Sequence, residues 1–244
     1  MSADSNDYVG HSNLEIVSGN HRFNNWLYRQ VNQSLRQGKE NILEVGSGLG
    51  TLSEKIIQEM SPWANIILTD ISVRYVDSLK ERYSLNKNVN VHKMDLNDEE
   101  DCRRIRNEEF DTIIAVNVLE HVKDDYLAFR ELYRMLKEGG SLVVLVPSHK
   151  FLFNIIDMNV GHYRRYSKEE LLEKTQLTGF KPEHIFYFNM LGIVGWYFNG
   201  SIFKKASISH TASKLFDRLV PVMDYLERIT RKKVGLSLIC YLKK

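Results

Sequence analysis

The stretch Asn41–Gly50 reads NILEVGSGLG, a short apolar run that ends in glycines at every second position, with Thr51-Leu52-Ser53-Glu54 opening an amphipathic segment behind it. That order is strand, tight turn, helix, the arrangement by which an α/β sheet turns backbone N–H groups toward a nucleotide-like ligand. Gly46 and Gly48 suit the turn because a ligand must approach the main chain closely and because a Cβ forbids the left-handed angles. Glu44 stands out: a carboxylate at the end of an apolar strand is unfavourable unless a cation or hydrogen-bond donors meet it.

The rest of the chain repeats strand and helix in alternation, which implies a parallel sheet. Strands are expected at Asn41–Val45, Asn65–Thr69, Val89–Met94, Phe110–Val116, Ser141–Val146, His184–Phe188 and Leu236–Leu242. Between them, Thr51 with Glu54 forms a capping-box pattern, Ser72 and Asp124 are helix starts, and Ser167 with Glu170 makes a second box. These 244 residues read as one domain: a flexible arm over 1–20, a helix over 21–38 (His21 to Gln37 at its core), a cofactor-binding core over 39–188, a substrate-side cap over 189–234 and a last strand within 235–244.

Hydrophobic content of 43% and charged content of 26% are those of an ordinary globular chain, and a net charge of +2 gives no reason to expect nucleic acid. Cys102 and Cys240 stand far apart, with no metal-cluster or disulfide spacing, which favours a reducing cytoplasm. Met1 to Asn13 lacks the apolar core of a secretory signal. From Gly200 to Lys244 there are ten Lys/Arg against three Asp/Glu, and Ile185–Phe203 carries no charge at all. That uncharged run approaches a membrane span in length, but Asn189, Asn199, Ser201 and three glycines interrupt it. It reads better as a strand running into a cap, and peripheral contact with a bilayer through 185–233 is a second expectation.

Acidic and amide side chains recur at the strand ends. Asp70 closes the second strand about twenty residues past the glycine turn, where a carboxylate can accept both hydroxyls of a ribose. Asp95-Leu96 follows the third strand and Asn117-Val118 the fourth, so four successive strand tips face one crevice. A nicotinamide-binding turn counted from Gly46 wants glycine or alanine where Thr51 stands, which argues against an oxidoreductase.

Together Glu44-Val45-Gly46-Ser47-Gly48-Leu49-Gly50, Asp70, Asp95-Leu96, Asn117-Val118-Leu119-Glu120-His121 and Lys137-Glu138-Gly139-Gly140-Ser141 resemble the motifs of the class I S-adenosylmethionine-dependent methyltransferases over about residues 20–180. The resemblance implies a Rossmann-like α/β fold, a seven-stranded sheet with an antiparallel last strand and helices on both faces, to which the residues between the last two strands add a helical cap. It implies S-adenosyl-L-methionine as cofactor and S-adenosyl-L-homocysteine as product. Gly46, Ser47 and Gly48 would lie along its methionine and ribose, Glu44 near its cationic end, and Asp70 with Ile71 at the ribose. Asp95 and Leu96 would hold the adenine, and Asn117 and Val118 the methionine edge. Arg22 and Trp26 are expected to close over the site. Gly161–Ser167 (GHYRRYS) and Phe216–Pro221 (FDRLVP) resemble a bacterial and archaeal subgroup associated with small molecules and saccharides, a likeness that fixes no substrate.

Transfer from a sulfonium needs neither a covalent nucleophile nor a metal, and a base helps only when the acceptor is a hydroxyl. His162 and His121 are the expected bases, with His149 a further histidine to weigh. Tyr163 and Arg164 are expected at the substrate, Arg164 and Arg165 together suiting an anionic group. The acceptor class is small-molecule, saccharide or lipid-linked, with O-methylation preferred. N- or C-methylation, or a scaffold that binds the cofactor without turnover, remain alternatives.

Overall fold

The computed structural model describes residues 10–34, 40–106, 109–205, 207 and 209–244. Seven strands form one sheet: β1 (Asn41–Val45), β2 (Asn65–Asp70), β3 (Val89–Lys93), β4 (Phe110–Val116), β5 (Leu136–Pro147), β6 (Lys181–Phe188) and β7 (Ser237–Lys243). Their order is β3-β2-β1-β4-β5-β7-β6. The pairs from β3 through β5 are parallel, and β7 runs antiparallel to both β5 and β6. The order reverses between β1 and β4, and a crevice opens at such a point because the loops there diverge to opposite sides.

Period-two alternation sends each strand's side chains to two cores. On β1, Leu43 and Val45 join Ile113, Ala115, Leu142 and Val144 on one face, while Ile42 packs with Ile66, Leu68, Ile114 and Val143 on the other. The first face is covered by α5 (Glu99–Arg106), α6 (Asp125–Met135) and α8 (Lys168–Leu177). The second is covered by α2 (His21–Val31), α3 (Thr51–Glu59), α4 (Val73–Arg82) and α10 (His210–Ile229). Between β6 and β7 the chain forms α9 (Gly192–Trp196), a wider π-helical turn over Tyr197–Ile202, and α10. The uncharged stretch is therefore a strand leading into a helical cap. Among the described residues no helix is long and apolar enough to cross a membrane.

Several expectations are corrected. Part of the presumed arm is ordered: His11–Ser18 forms α1, and Leu14 lies against Gly48, with its Cδ2 3.0 Å from where a Cβ there would stand. The expected helix from His21 ends at Val31, a 3₁₀ turn follows over Asn32–Ser34, and the stretch 35–39 lies outside the described residues. Thr51 does not cap α3; the cap position is Gly50 at φ 76°, so that helix starts straight from the glycine turn. Ser167 caps α8 as expected, accepting a hydrogen bond from the Glu170 N–H at 3.1 Å.

Trp26 does not reach the crevice. It is fully buried against Phe188, ring centroids 4.3 Å apart, and its indole N–H donates to Asp224 on α10. Arg22, four residues earlier and on the same side of α2, is exposed and donates to the Arg218 carbonyl. Phe23, Asn24 and Leu27 are the residues of α2 that face the crevice. The two elements are fastened by Asp217, which accepts the Phe23 N–H at 2.8 Å.

Candidate active site

A cavity of about 880 Å³ lies at the carboxyl ends of β1, β2 and β4, a volume in the range of small-molecule and cofactor sites. Glu44, Gly46, Ser47, Gly48, Asp70 and Ile71 line it. So do Asp95, Leu96, Asn117 and Val118, so the four strand tips converge on one space. Gly46 has φ 72°, and a Cβ there would stand 2.4 Å from Val118 Cγ2. Glycine is required at that position by both angle and space. Asn117 holds a left-handed φ of 53° at the tip of β4, a conformation asparagine tolerates better than most residues. Its N–H is fixed to the Leu145 carbonyl.

Asp70 braces the turn. One oxygen accepts the Gly48 N–H at 2.8 Å and the other the Ser72 N–H at 2.9 Å. Burial raises its pKa despite those bonds. Glu44 is more strongly affected: burial pushes it up to about 7, against the hydrogen bond from Ser53 and the nearby Ser47 hydroxyl and with Asp70 adding repulsion. Ser53 Oγ donates to it at 2.5 Å. Asp95 accepts the Asn97 N–H at 2.8 Å and the Asn97 side-chain amide at 2.9 Å.

Opposite the glycine turn, α7 (Ile155–Asn159) and the segment 161–166 bring a second group of polar side chains. His162 Nδ1 lies 2.8 Å from Asp157 Oδ1, and Arg165 Nε donates to the same oxygen at 2.8 Å. Asp157 Oδ2 accepts the Asn154 N–H and the Trp196 indole N–H. Burial works against the charge on Asp157, but His162 and Arg165 outweigh it and hold the carboxyl below its usual range. Glu120 is fully buried, and burial pushes it up to about 7. Burial first, and His162 second, depress His121 to about 4, so its ring is neutral near pH 7.

Tyr163 and Arg165 line the cavity with His121 and His162, whereas Arg164 does not. The stretch is extended and its side chains alternate. Tyr166 and Arg164 turn to the far side, where both bond Asp125 at the start of α6, at 2.8 and 2.9 Å. Of the two arginines expected together at an anionic group, the buried Arg165 faces the cavity and Arg164 does not. His149 is outside the lining, stacked on Tyr187 with centroids 5.1 Å apart. Sequence reading also missed Asn13, Leu14 and Val17 of α1, and Trp196 of the cap, all of which line the cavity. The apolar Leu14 and Val17 at helical spacing were the available signal.

The doubly wound sheet, its antiparallel β7 and the glycine turn at the β1–β4 switch define a nucleotide-cofactor α/β enzyme class. Residues 43–142 match the family model described as a methyltransferase domain. A malonyl-[acyl-carrier protein] O-methyltransferase of Ilyobacter polytropus is 28% identical over 144 residues, 57% of this chain and 51% of that protein. A ubiquinone/menaquinone biosynthesis C-methyltransferase of Vibrio campbellii is 30% identical over 140 residues, 57% of this chain and 52% of that protein. The chain thus spans about half the length of these curated relatives. A solved structure of an S-adenosylmethionine-dependent methyltransferase from Archaeoglobus fulgidus superposes with a TM-score of 0.61 over 93% of this chain and 95% of that one, at 18% identity, a likeness of fold. Residues 43–142 therefore carry a methyltransferase domain, set in a fold shared with solved S-adenosylmethionine-dependent methyltransferases.

A cationic cofactor seated beside Glu44 would favour its ionised form, so its binding below pH 7 would displace a proton. Affinity for S-adenosylmethionine, measured by calorimetry, is expected to rise about tenfold from pH 6 to pH 8. Glu44→Gln should weaken binding at pH 8 and flatten that rise; an unchanged profile in the variant would remove Glu44 from the cationic end.

Proposed function

We propose that the protein moves the methyl group of S-adenosylmethionine to a hydroxyl of a small, saccharide or lipid-linked acceptor. The sulfur–methyl bond breaks as the oxygen–methyl bond forms, S-adenosylhomocysteine leaves, and the hydroxyl proton passes to the protein or to water. Gly46, Ser47 and Gly48 would hold the methionine and ribose, Asp70 and Ile71 the ribose, Asp95 and Leu96 the adenine, and Asn117 and Val118 the methionine edge. The observation that carries the oxygen preference is the His162 imidazole on the cavity wall, bonded from behind by the buried Asp157 carboxylate. A carboxylate on one ring nitrogen orients an imidazole to take a proton on the other, a grouping that transfer to an already nucleophilic amine does not need. Tyr163 and Arg165 border the acceptor side, and the small-molecule scale of the cavity favours such acceptors over nucleic acid.

A lipid-linked acceptor is supported by the outer face of α10. Leu215, Leu219, Val222, Tyr225 and Ile229 are exposed and fall at helical spacing in a single stripe, separate from the buried Ser213, Val220 and Met223. Phe198, Ile202 and Phe203 of the cap are exposed as well. Lys204, Lys205, Lys214, Arg218 and Arg231 accompany them, the combination of apolar contact and positive charge that an anionic lipid surface attracts. We therefore place the working surface of the cap at a bilayer.

Two measurements test this reading. His162→Ala should lower turnover at least a hundredfold while leaving S-adenosylmethionine affinity within a factor of two, a loss in the range expected for a proton-transfer group. Full activity would dismiss His162. The protein should co-sediment with phosphatidylglycerol vesicles and lose that binding with Leu219→Asp plus Val222→Asp, which sit on the exposed face. Equal partition of variant and wild type would dismiss the membrane surface.

A further inference from the structure

We infer that Glu120, His121 and His162 form a site for one divalent first-row transition-metal ion on the acceptor side of the cavity. One carboxylate oxygen of Glu120 and one ring nitrogen from each histidine lie within 4.8 Å of one another. All three residues line the same cavity. Ligands stand about 2.0–2.2 Å from a zinc-like ion, so the three atoms need to close by roughly an ångström around it.

Glu120 itself asks for a cation. It is fully buried, and neither carboxylate oxygen meets a hydrogen-bond donor on another described residue. The nearest nitrogen, His162 Nε2, stands 3.8 Å from Oε1, too far for a hydrogen bond. A buried carboxylate left this way is strongly disfavoured, and native structures keep such groups for a ligand or an ion.

The surroundings are those of a prepared site. Asp157 bonds His162 at Nδ1 and so leaves Nε2 turned toward Glu120. Asp157 is in turn fixed by Arg165, the Asn154 N–H and Trp196. The Gly161 carbonyl takes a hydrogen bond from the His121 ring. Carboxylate and carbonyl partners on the outer nitrogens are what orient histidines toward a metal. The two imidazoles stand edge to face at 77°, centroids 4.6 Å apart. Two imidazoles and one carboxylate suit Zn²⁺, Co²⁺, Mn²⁺ or Fe²⁺ far better than Mg²⁺ or Ca²⁺, and three protein ligands leave positions open to the cavity.

The open position would take an oxygen of the acceptor, and that part rests on the methyl-transfer reading above; the metal site does not. With the ion bound, His162 serves as a ligand, and the cation lowers the pKa of the oxygen it holds. Such a site admits acceptors with a hydroxyl or a neighbouring pair of oxygens.

The test uses the full chain, stripped with EDTA and dialysed, then titrated with Co²⁺ and followed by visible absorption and calorimetry. One equivalent should bind with a Kd of about 10 μM or tighter and with ligand-field bands of a site containing imidazole. Glu120→Gln and His162→Ala should each weaken binding at least about tenfold, while His92→Ala, on the exposed side of β3, should not change it. The absence of saturable binding, or equal binding by Glu120→Gln and wild type, would overturn the inference. Should a variant fail to fold, the wild type alone still decides: one equivalent of Co²⁺ must raise its Tm, and no rise overturns the site. S-adenosylmethionine titrated into the same sample separates the two claims. Cofactor binding without cobalt binding removes the metal site alone, and cobalt binding without cofactor binding removes the methyl-transfer reading alone.

Discussion

The carboxylate of Asp70, bonded at once to the Gly48 and Ser72 N–H groups, is the tie on which the cofactor side depends. Three glycines at φ 72°, 53° and 76° leave the turn after β1 with little intrinsic preference for one shape. A buried acceptor at the tip of the neighbouring strand selects that shape and keeps the N–H groups of the loop in register with α3. Each carboxylate oxygen has a second lone pair, so the brace is compatible with a ribose held by the same group. Replacing Asp70 thus removes the support of the loop, and with it the ribose contact proposed for the same carboxylate.

The cavity is also polarised by groups that burial leaves unsettled. Glu44 on the cofactor side and Glu120 on the acceptor side both titrate near 7, as does Glu227 on α10 beneath the Met190 N–H. The folded chain holds these protons more tightly than the unfolded one. Their contribution is therefore complete below about pH 4.5 and is lost as pH climbs through about 7. A cation bound beside either carboxylate would reverse that loss, as the proposed sulfonium at Glu44 and the inferred metal at Glu120 would do.

Much of the sheet could be read from the chain because a parallel strand buried on both faces leaves an apolar run bounded by turn residues, as at Phe110–Val116. The strand-tip residues were legible for the same reason, since position at a strand end fixes which edge a side chain occupies. Arg164 and Arg165 could not be told apart in the sequence because adjacent residues of an extended segment face opposite sides, and nothing local says which side is the cavity. Trp26 was misjudged because an aromatic on an amphipathic helix looks the same whether it meets a ligand or a neighbouring helix. The meeting of His121 with His162 and Asp157 depends on how the segment after β5 folds back over the crevice. No spacing along the chain carries that information.

The account is tested most directly by a crystal structure with S-adenosylhomocysteine bound. The nucleoside should lie across the β1–β4 crevice, its ribose on Asp70 and its adenine at Asp95-Leu96, with the sulfur turned toward His162. A nucleoside seated elsewhere, or one whose sulfur faces away from Glu120 and His162, would contradict it.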